Sequence, residues 1–236
     1  MLTLRKAADR GKSDLGWLTS YHTFSFGGYS DPAHMGFRSL RVLNDDRVAP
    51  GKGFGAHGHR DMEILSYVLE GQLAHKDSMG EEHVLGPNEV QAMSAGSGVI
   101  HSEFNGSDTE PTHFFQIWLV PEARGIKPSY QQFAYDPAEK RGTLRLIAGP
   151  DRNTQPPSAF IHQDARMYAA ILDSGETISF PIAQGRHAWV QGAAGELEVN
   201  GIPLKEGDGL AVSDEAALTL RGAGTSGGEL LLFDLA

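Results

Sequence analysis

Two short motifs with metal-ligand side chains at alternate positions constrain the fold of this chain more than any other feature. They read HGH at residues 57–59 and HSE at residues 101–103. Residues i and i+2 of a β-strand point to the same face of a sheet, so each motif directs two side chains the same way. If the two strands are neighbours, three imidazoles and one carboxylate converge on a single point.

The predicted metal ligands are therefore His57, His59, His101 and Glu103. The chain has no cysteine, so thiolate ligands and disulfides are excluded, and any metal must bind to nitrogen and oxygen. Three imidazoles and a carboxylate suit a divalent ion such as iron, nickel, copper, manganese or zinc. They also leave coordination positions open for water, oxygen or a substrate, which is typical of a catalytic site.

The composition favours a fold made of many short strands. Of the 236 residues, 29 are glycine and 12 are proline, and turn-forming dipeptides recur along the whole length. Strands are predicted over residues 37–43, 63–69 and 113–120. Helical periodicity is confined to single turns near residues 7–10 and 137–140. The fold class indicated is all-β.

Two connections can be predicted around these strands. The run Asn44-Asp45-Asp46-Arg47 is typical of a turn, because these residue types are common in turns and depleted in strands. Residues 72–75 are predicted to pair back on the strand before them, across the turn at Gly71.

The second half of the sequence repeats the pattern of the first, which indicates two tandem domains. Residues 67–73 and 189–197 both read as a β pair around a glycine turn. We place an N-terminal domain at residues 1–135 and a C-terminal domain at residues 136–236. In this register none of the four ligand positions has a histidine or a carboxylate in the second half. Only the N-terminal domain is therefore predicted to hold a metal ion. The four counterpart residues are Ser179, Pro181, Leu220 and Gly222.

Charge and hydropathy narrow the function classes. A formal net charge of −10 disfavours direct binding to nucleic acid through a basic surface. No apolar stretch approaches the roughly 20 residues of a membrane span, and the N-terminus lacks the apolar core of a signal peptide. A cytoplasmic location is expected, and the sequence identifies no protein partner.

With these motifs in place, the chain resembles the cupins, and among them the pirin family of bicupins. The cupin motifs are matched by Gly51, His57, His59 and Glu63 and then by Gly98, His101 and Asn105. The resemblance to pirins rests on residues 23–80 and 94–105 and covers the N-terminal half nearly end to end. One departure lies between the first two ligands, where pirins usually have proline and this chain has Gly58, which loosens the backbone.

The resemblance implies two tandem cupin domains, each a jelly-roll-like β-sandwich or barrel. It also implies that His57, His59, His101 and Glu103 hold a metal, usually iron, so Fe(II) is the expected cofactor. Some bacterial pirin-like proteins act as quercetin 2,3-dioxygenases, and eukaryotic pirins are described as iron-dependent transcriptional co-regulators. Three hypotheses follow: a metal-dependent dioxygenase acting on a flavonol-like substrate and O2, a metal- and redox-sensing interaction protein without turnover, or a domain that the metal only stabilises.

Two carboxylates compete for the fourth ligand position. Glu63 fits the general cupin pattern, whereas Glu103 fits the pirin pattern and lies one i,i+2 step from His101. Along a straight strand Glu63 would lie about 13 Å from His59, so it would need a bend to reach the metal. Glu103 is therefore favoured. Glu63 is expected to form a hydrogen bond or salt bridge, for example with Arg60.

The other histidines and the aromatic residues have simpler expected roles. His22 and His34 lie near aromatic and glycine-rich segments and are candidate cavity residues. Histidines without a paired ligand are expected to be satisfied or exposed: His75, His83, His113, His162 and His187. Aromatic residues are expected in the core, where some could wall an apolar pocket for a flat polyphenol: Phe24, Phe26, Phe115 and Trp118.

The dioxygenase hypothesis assigns a catalytic role to Glu103. A flavonol hydroxyl bound at an open metal position would have a lowered pKa because of the Lewis acidity of the ion. Glu103 is predicted to take the proton as general base. The electron-rich anion then reacts with oxygen, and the ring is cleaved.

Overall fold

The computed structural model describes the whole chain, Met1–Ala236, as short β-strands joined by turns. Helical structure is limited to single 3-10 turns at Ala7–Asp9 and Pro137–Lys140, the two places where the sequence predicts helical turns. The all-β prediction is confirmed. None of the helical segments has the length and apolar character needed to cross a membrane.

The strands follow one another along the chain as β1 (Leu2–Arg5), β2 (Gly11–Asp14), β3 (Leu18–His22), β4 (Leu40–Val48), β5 (Gly53–His59), β6 (Glu63–Glu70), β7 (Leu73–Asp77), β8 (Glu82–Leu85), β9 (Glu89–Ser94), β10 (Val99–Asn105), β11 (Thr112–Leu119), β12 (Ser129–Ala134), β13 (Arg145–Gly149), β14 (Ala159–Phe160), β15 (Ala165–Leu172), β16 (Thr177–Pro181), β17 (His187–Val199), β18 (Ile202–Lys205), β19 (Gly209–Val212), β20 (Ala217–Gly222) and β21 (Gly228–Leu235).

The strands fall into two compact units that are not contiguous in sequence. The first, called here the site unit, comprises Gly11–Tyr135 and Pro150–Gln163. The second, called the C-terminal unit, comprises Met1–Arg10, Asp136–Gly149 and Asp164–Ala236. The predicted domains, residues 1–135 and 136–236, differ from these units at two segments: Met1–Arg10 belongs to the C-terminal unit and Pro150–Gln163 belongs to the site unit. A sequence repeat does not show where such segments pack. The boundary between the two cupin domains stays a prediction.

The site unit is built from two antiparallel sheets. One has seven strands in the order β12-β9-β6-β11-β4-β3-β2, and the other has four in the order β5-β10-β7-β8. Buried apolar side chains from both sheets pack in one cluster, with Val68 and Phe114 from the larger sheet and Leu73 and Leu85 from the smaller. Facing sheets with a shared apolar interior form the predicted β-sandwich.

The prediction that residues 72–75 pair back on the strand before them is wrong. β7 pairs with β8 and β10, whereas β6 lies between β9 and β11 in the other sheet. Gly71 lies between β6 and β7 with a φ of 76°, a conformation that glycine adopts readily. The chain therefore passes from one sheet to the other at this turn.

The predicted turn at Asn44–Arg47 is also wrong, because these residues lie inside β4. On one face, Asp45 accepts hydrogen bonds from His113 at 2.7 Å and from Arg47 at 3.1 Å. The alternate residues, Asn44 and Asp46, line an interior cavity. Asn and Asp are depleted in strands because the neighbouring side chains there are usually apolar. Both faces of β4 instead offer polar neighbours to these residues.

The C-terminal unit has its own sheet and core. Its strands are ordered β1-β19-β17-β21-β15-β13, and β17 also pairs with β18 and β20. Fully buried leucines and valines fill its interior, among them Val190, Leu210 and Leu232.

The repeat register can be located within this unit. Positions 179 and 181 lie on β16, and positions 220 and 222 lie on β20. These two strands are antiparallel neighbours, as β5 and β10 are in the site unit. The sequence comparison therefore identifies paired strands in both halves, but its register is wrong by one residue. Ser179 lies opposite Thr219 and Leu220 lies opposite Ile178, whereas His57 lies directly opposite His101. That the C-terminal domain binds no metal stays a prediction.

Gly53 offers a test of how closely β5 and β10 must pack. A Cβ atom at this position would overlap the carbonyl oxygen of Glu103 and the Cα atom of Phe104. Gly53→Ala is therefore expected to force the strands apart, lowering the free energy of unfolding by about 1–3 kcal/mol and weakening nickel(II) binding in calorimetric titration. Gly55→Ala is the matched control, because nothing lies within 4 Å of its Cβ. Equal nickel(II) affinities in the two variants would contradict this account.

Candidate metal centre

The two ligand motifs lie on adjacent strands of the four-stranded sheet. β5 and β10 are antiparallel, with His57 directly opposite His101. Burial alternates along β10, so that His101 and Glu103 share the buried face while Ile100 is exposed on the other. The i,i+2 arrangement and the strand pairing together bring the two motifs into one place.

Three imidazole rings meet there. The ring centroids of His57 and His101 are 4.5 Å apart, and each lies 4.8 Å from the ring of His59. One nitrogen of each ring lies within 4.8 Å of the others. Bonds from imidazole to divalent zinc are about 2.0–2.1 Å long, so one ion of this size can lie between the three nitrogens after small side-chain rotations.

Hydrogen bonding leaves the Nε2 atoms of two rings available. Nδ1 of His57 donates to the carbonyl oxygen of Gly55 at 2.8 Å, which places the lone pair of that ring on Nε2. Nε2 of His101 is buried and has no hydrogen-bond partner. A buried polar atom without a partner is unfavourable, and a cation bound at this nitrogen would satisfy it. The donor set therefore fits a divalent metal ion.

The electrostatic surroundings keep two of the imidazoles neutral. Burial, with the neighbouring His57 and His75 rings, lowers the pKa of His101 to about 3. Burial, with the His101 and His57 rings, lowers the pKa of His59 to about 4. Neutral imidazole is the form that binds metals, so protons compete little for these nitrogens at neutral pH.

Glu103 is buried and accepts hydrogen bonds from three side chains. Ser66 and Gln91 each donate to its Oε1 at 3.2 Å, and Gln116 donates to its Oε2 at 2.6 Å. An ionised carboxylate has about four acceptor positions, so about one is left for a metal or a proton. One carboxylate oxygen of Glu103 lies within 4.8 Å of a nitrogen of His75 and a nitrogen of His101. It is not part of the three-imidazole set, which consists of His57, His59 and His101. Its place as fourth ligand stays a prediction.

Glu63, the competing carboxylate, is engaged elsewhere. It lies at the start of β6, where its Oε2 accepts hydrogen bonds from the Ser94 hydroxyl at 2.7 Å and from the His162 backbone at 3.2 Å. The His162 ring lies 3.5 Å from its Oε1. Its partners are thus Ser94 and His162, not Arg60, the example suggested by the sequence. Burial raises the pKa of Glu63.

His75, expected from the sequence to be satisfied or exposed, lies directly beside the site. It is buried on β7 opposite Glu103, and its ring centroid is 5.3 Å from that of His101. Its Nε2 lies 3.1 Å from the carboxylate of Asp77. In the sequence, His75 and Asp77 form an i,i+2 pair of a histidine and a carboxylate. Glu81 and His83 form the same kind of pair at an exposed position, so the pattern alone does not identify the buried pair.

A cavity of about 260 Å³ lies against the imidazoles. This volume is near the lower end of the roughly 300–1,000 Å³ typical of small-molecule sites. Its apolar wall consists of Leu15, Leu18, Phe26, Phe54 and Trp118. Its polar lining consists of Ser13, Ser20, His22, Asn44, Asp46, His57, His59, Glu103 and Gln116.

Of the residues that the sequence suggested for this cavity, some line it and others do not. Phe26 and Trp118 wall it, and their rings pack edge to face at 5.4 Å. Phe24 and Phe115 are buried in the core. Of the two candidate histidines, His22 lines the cavity and is held by Ser13 and Asn44, each at 2.9 Å. His34 instead contacts Asp31 at 2.7 Å.

Asp46 is a second buried carboxyl group in the cavity lining. Burial raises its pKa to about 7, with the charges of Asp45 and Glu103 adding to the shift and a hydrogen bond from Ser20 opposing it. Its Oδ1 has no hydrogen-bond partner. The cavity thus contains two carboxyl groups in different surroundings.

Comparison with known families matches both halves of the chain. Residues 3–119 match the family model described as Pirin. Residues 146–235 match the family model described as Quercetinase C-terminal cupin domain. The bicupin architecture predicted from the sequence is therefore confirmed.

Individual relatives match over the full length. The chain is 46% identical over 235 residues to the quercetin 2,3-dioxygenase of Escherichia coli K12, covering 100% of this chain and 99% of that protein. It is 39% identical over 236 residues to a pirin-like protein of Caulobacter vibrioides, covering 98% and 99%. The crystal structure of the Escherichia coli bacterial pirin YhhW in complex with nickel(II) superposes with a TM-score of 0.93 at 45% identity, covering 100% and 99%.

Asp46 predicts a pH dependence of stability in the metal-free protein. Its folded pKa of about 7 lies above the unfolded value of about 3.9. The folded state therefore retains a proton that the unfolded chain releases. Its contribution to stability is present below about pH 4 and is lost as the pH rises through 7.

Replacement of Asp46 by asparagine removes this titration. The free energy of unfolding of the wild type should fall relative to Asp46→Asn between pH 4 and pH 8, by up to about 4 kcal/mol. Urea denaturation of both proteins across this range measures the difference. A difference that does not change with pH would show that Asp46 does not titrate in this way.

Proposed function

Because this chain belongs to the pirin family of bicupins, we propose that it is a metal-dependent dioxygenase that uses O2 to cleave the ring of a flavonol-type substrate. The observation that carries the proposal is the convergence of three imidazoles beside a cavity that has an apolar wall and also holds a buried carboxylate. The full-length similarity to a protein named quercetin 2,3-dioxygenase supports the choice of reaction and substrate class.

We propose Fe(II) as the ion in the dioxygenase, held by His57, His59 and His101 with Glu103 beside them. The nickel(II) complex of a relative supports a divalent ion in this family, and nickel, copper, manganese and zinc are alternatives for this donor set. A divalent ion held there would supply Lewis acidity, which lowers the pKa of a substrate hydroxyl group.

The cavity residues supply orientation and exclusion of water. Phe26, Phe54 and Trp118 give the cavity flat aromatic surfaces, against which a planar polyphenol can lie. The ring of His59 packs edge to face on Trp118 at 4.9 Å, so a substrate held by the aromatic wall lies close to the imidazoles. Apolar walls keep bulk water away from a reactive anion.

We assign the general base role to Glu103. Amide donors from Gln91 and Gln116 hold its carboxylate in place. One acceptor position remains, and it can take the proton of a substrate hydroxyl bound in the cavity. Deprotonation makes the substrate electron-rich enough to react with O2.

A metal-sensing interaction protein without turnover is the second candidate function. It is favoured by Ile100 and Phe104, which are 56% and 41% exposed on the outer face of the strand that carries His101 and Glu103. A partner bound to this face would contact the strand that holds two of the proposed ligands. Such a protein would bind metal and leave flavonols unchanged.

Oxygen uptake with quercetin tests the dioxygenase directly. Protein reconstituted with Fe(II) under anaerobic conditions should consume one O2 for each flavonol whose absorbance is lost, and His101→Ala should not. Absence of turnover with iron, nickel, copper and manganese, in protein shown to bind each metal, would favour the interaction protein.

The base role has its own test. Glu103→Gln keeps the size of the side chain but cannot accept the proton, so kcat should fall by about 10²–10⁴-fold. Glu63→Gln is the matched control, since Glu63 is equally buried but bonded to Ser94 and His162. Full activity in Glu103→Gln would exclude Glu103 as the base.

A further inference from the structure

A line of three buried side chains leads away from the metal centre. Nδ1 of His101 lies 3.5 Å from Nδ1 of His75, and Nε2 of His75 lies 3.1 Å from Oδ2 of Asp77. The side chains of His75 and Asp77 are both 0% exposed. The His75 ring is also stacked on Tyr130, with centroids 4.7 Å apart and planes 26° apart, which fixes its orientation.

We propose that His75 and Asp77 are positioning residues that set the tautomer of His101 and so direct its Nε2 lone pair toward the metal. This inference rests on the metal site of the proposed function, but it is independent of the substrate and the reaction.

With both rings neutral and Asp77 ionised, the protons in this line have a single consistent arrangement. The ionised Asp77 carboxylate accepts, so His75 carries its proton on Nε2 and has a lone pair on Nδ1. That lone pair accepts from His101, whose proton is then on Nδ1. The Nε2 of His101, which is buried without a partner, is left free to bind an ion.

His57 reaches the same state by a different route. Its Nδ1 donates to the backbone carbonyl of Gly55, which again leaves Nε2 unprotonated. Hydrogen bonds of this kind, from a metal-binding histidine to a carboxylate or carbonyl, fix both tautomer and ring orientation. In His101 the acceptor is a second histidine, and the carboxylate is one step further away.

The surroundings of His75 argue against a direct role as ligand. Its Nε2 is already paired with Asp77, and its Nδ1 faces the Nδ1 of His101. Neither His75 nor His101 lines the cavity, whereas His57 and His59, the other two members of the three-imidazole set, both do. An ion reachable by substrate lies among the three-imidazole set rather than between His75 and His101.

Asp77→Asn should reverse the donor and acceptor roles in both hydrogen bonds of this line without moving the side chains. Oδ1 of Asp77 accepts from the backbone amides of Met79 at 2.8 Å and Glu81 at 3.2 Å. These bonds would hold the asparagine oxygen in the same place and turn its NH2 group toward His75. His75 Nε2 would then accept, its proton would move to Nδ1, and His101 would be protonated on Nε2, the metal-binding atom.

Nitrogen-15 NMR of the metal-free protein reads the tautomers directly. The wild type should show His101 protonated on Nδ1, and Asp77→Asn should show it protonated on Nε2. Nickel(II) affinity should fall about 10–100-fold in Asp77→Asn and in His75→Ala, the usual effect of losing such a partner. An Nε2 proton on His101 in the wild type, or the same tautomer in both proteins, would overturn the proposal.

Controls separate positioning from general stability and from direct ligation. Asp45→Asn disturbs another buried Asp–His pair, the 2.7 Å contact with His113, and should lower the melting temperature without changing the His101 tautomer or nickel(II) affinity. Complete loss of nickel(II) binding in His75→Ala would make His75 a ligand and overturn the proposal. Absence of quercetin turnover in a protein with the expected tautomers would contradict the proposed function alone.

Discussion

The cross-strand pair of His57 and His101 is the contact on which the rest of the site depends. It exists because β5 and β10 are antiparallel neighbours in a register that places these residues opposite each other. The period of two along each strand then adds His59 and Glu103 on the same side. The two strands also approach closely at Gly53, where a Cβ atom would overlap the backbone of β10.

Burial gives this arrangement its chemistry. Imidazoles taken out of water and placed near one another are held neutral, and a neutral imidazole is a ready metal ligand. The same burial would make isolated polar groups unfavourable, so the sandwich interior contains a network of polar side chains. Ser66, Gln91 and Gln116 satisfy Glu103, and Asp77 satisfies His75. The orphaned Nε2 of His101 is the point in this network where a cation fits.

The parts of the structure that follow local periodicity could be predicted from the sequence. The two motifs, the all-β class and the single helical turns all depend on residues close together in the chain. The errors concern features set by distant residues. Asn44–Arg47 has the composition of a turn, but His113 and the polar side of the cavity lining make a strand favourable there. His75 and His83 each lie two residues from a carboxylate, and only the packing of β7 and β10 buries one pair and not the other.

X-ray absorption spectroscopy of the nickel(II)-loaded protein counts the imidazoles bound to the metal. We expect three imidazole nitrogens in the first coordination shell of the wild type. We expect two in His101→Ala at saturating nickel(II), and still three in His75→Ala. Fewer than three imidazoles in the wild type, or the loss of one in His75→Ala, would contradict the assignment of His57, His59 and His101 as the metal-binding set.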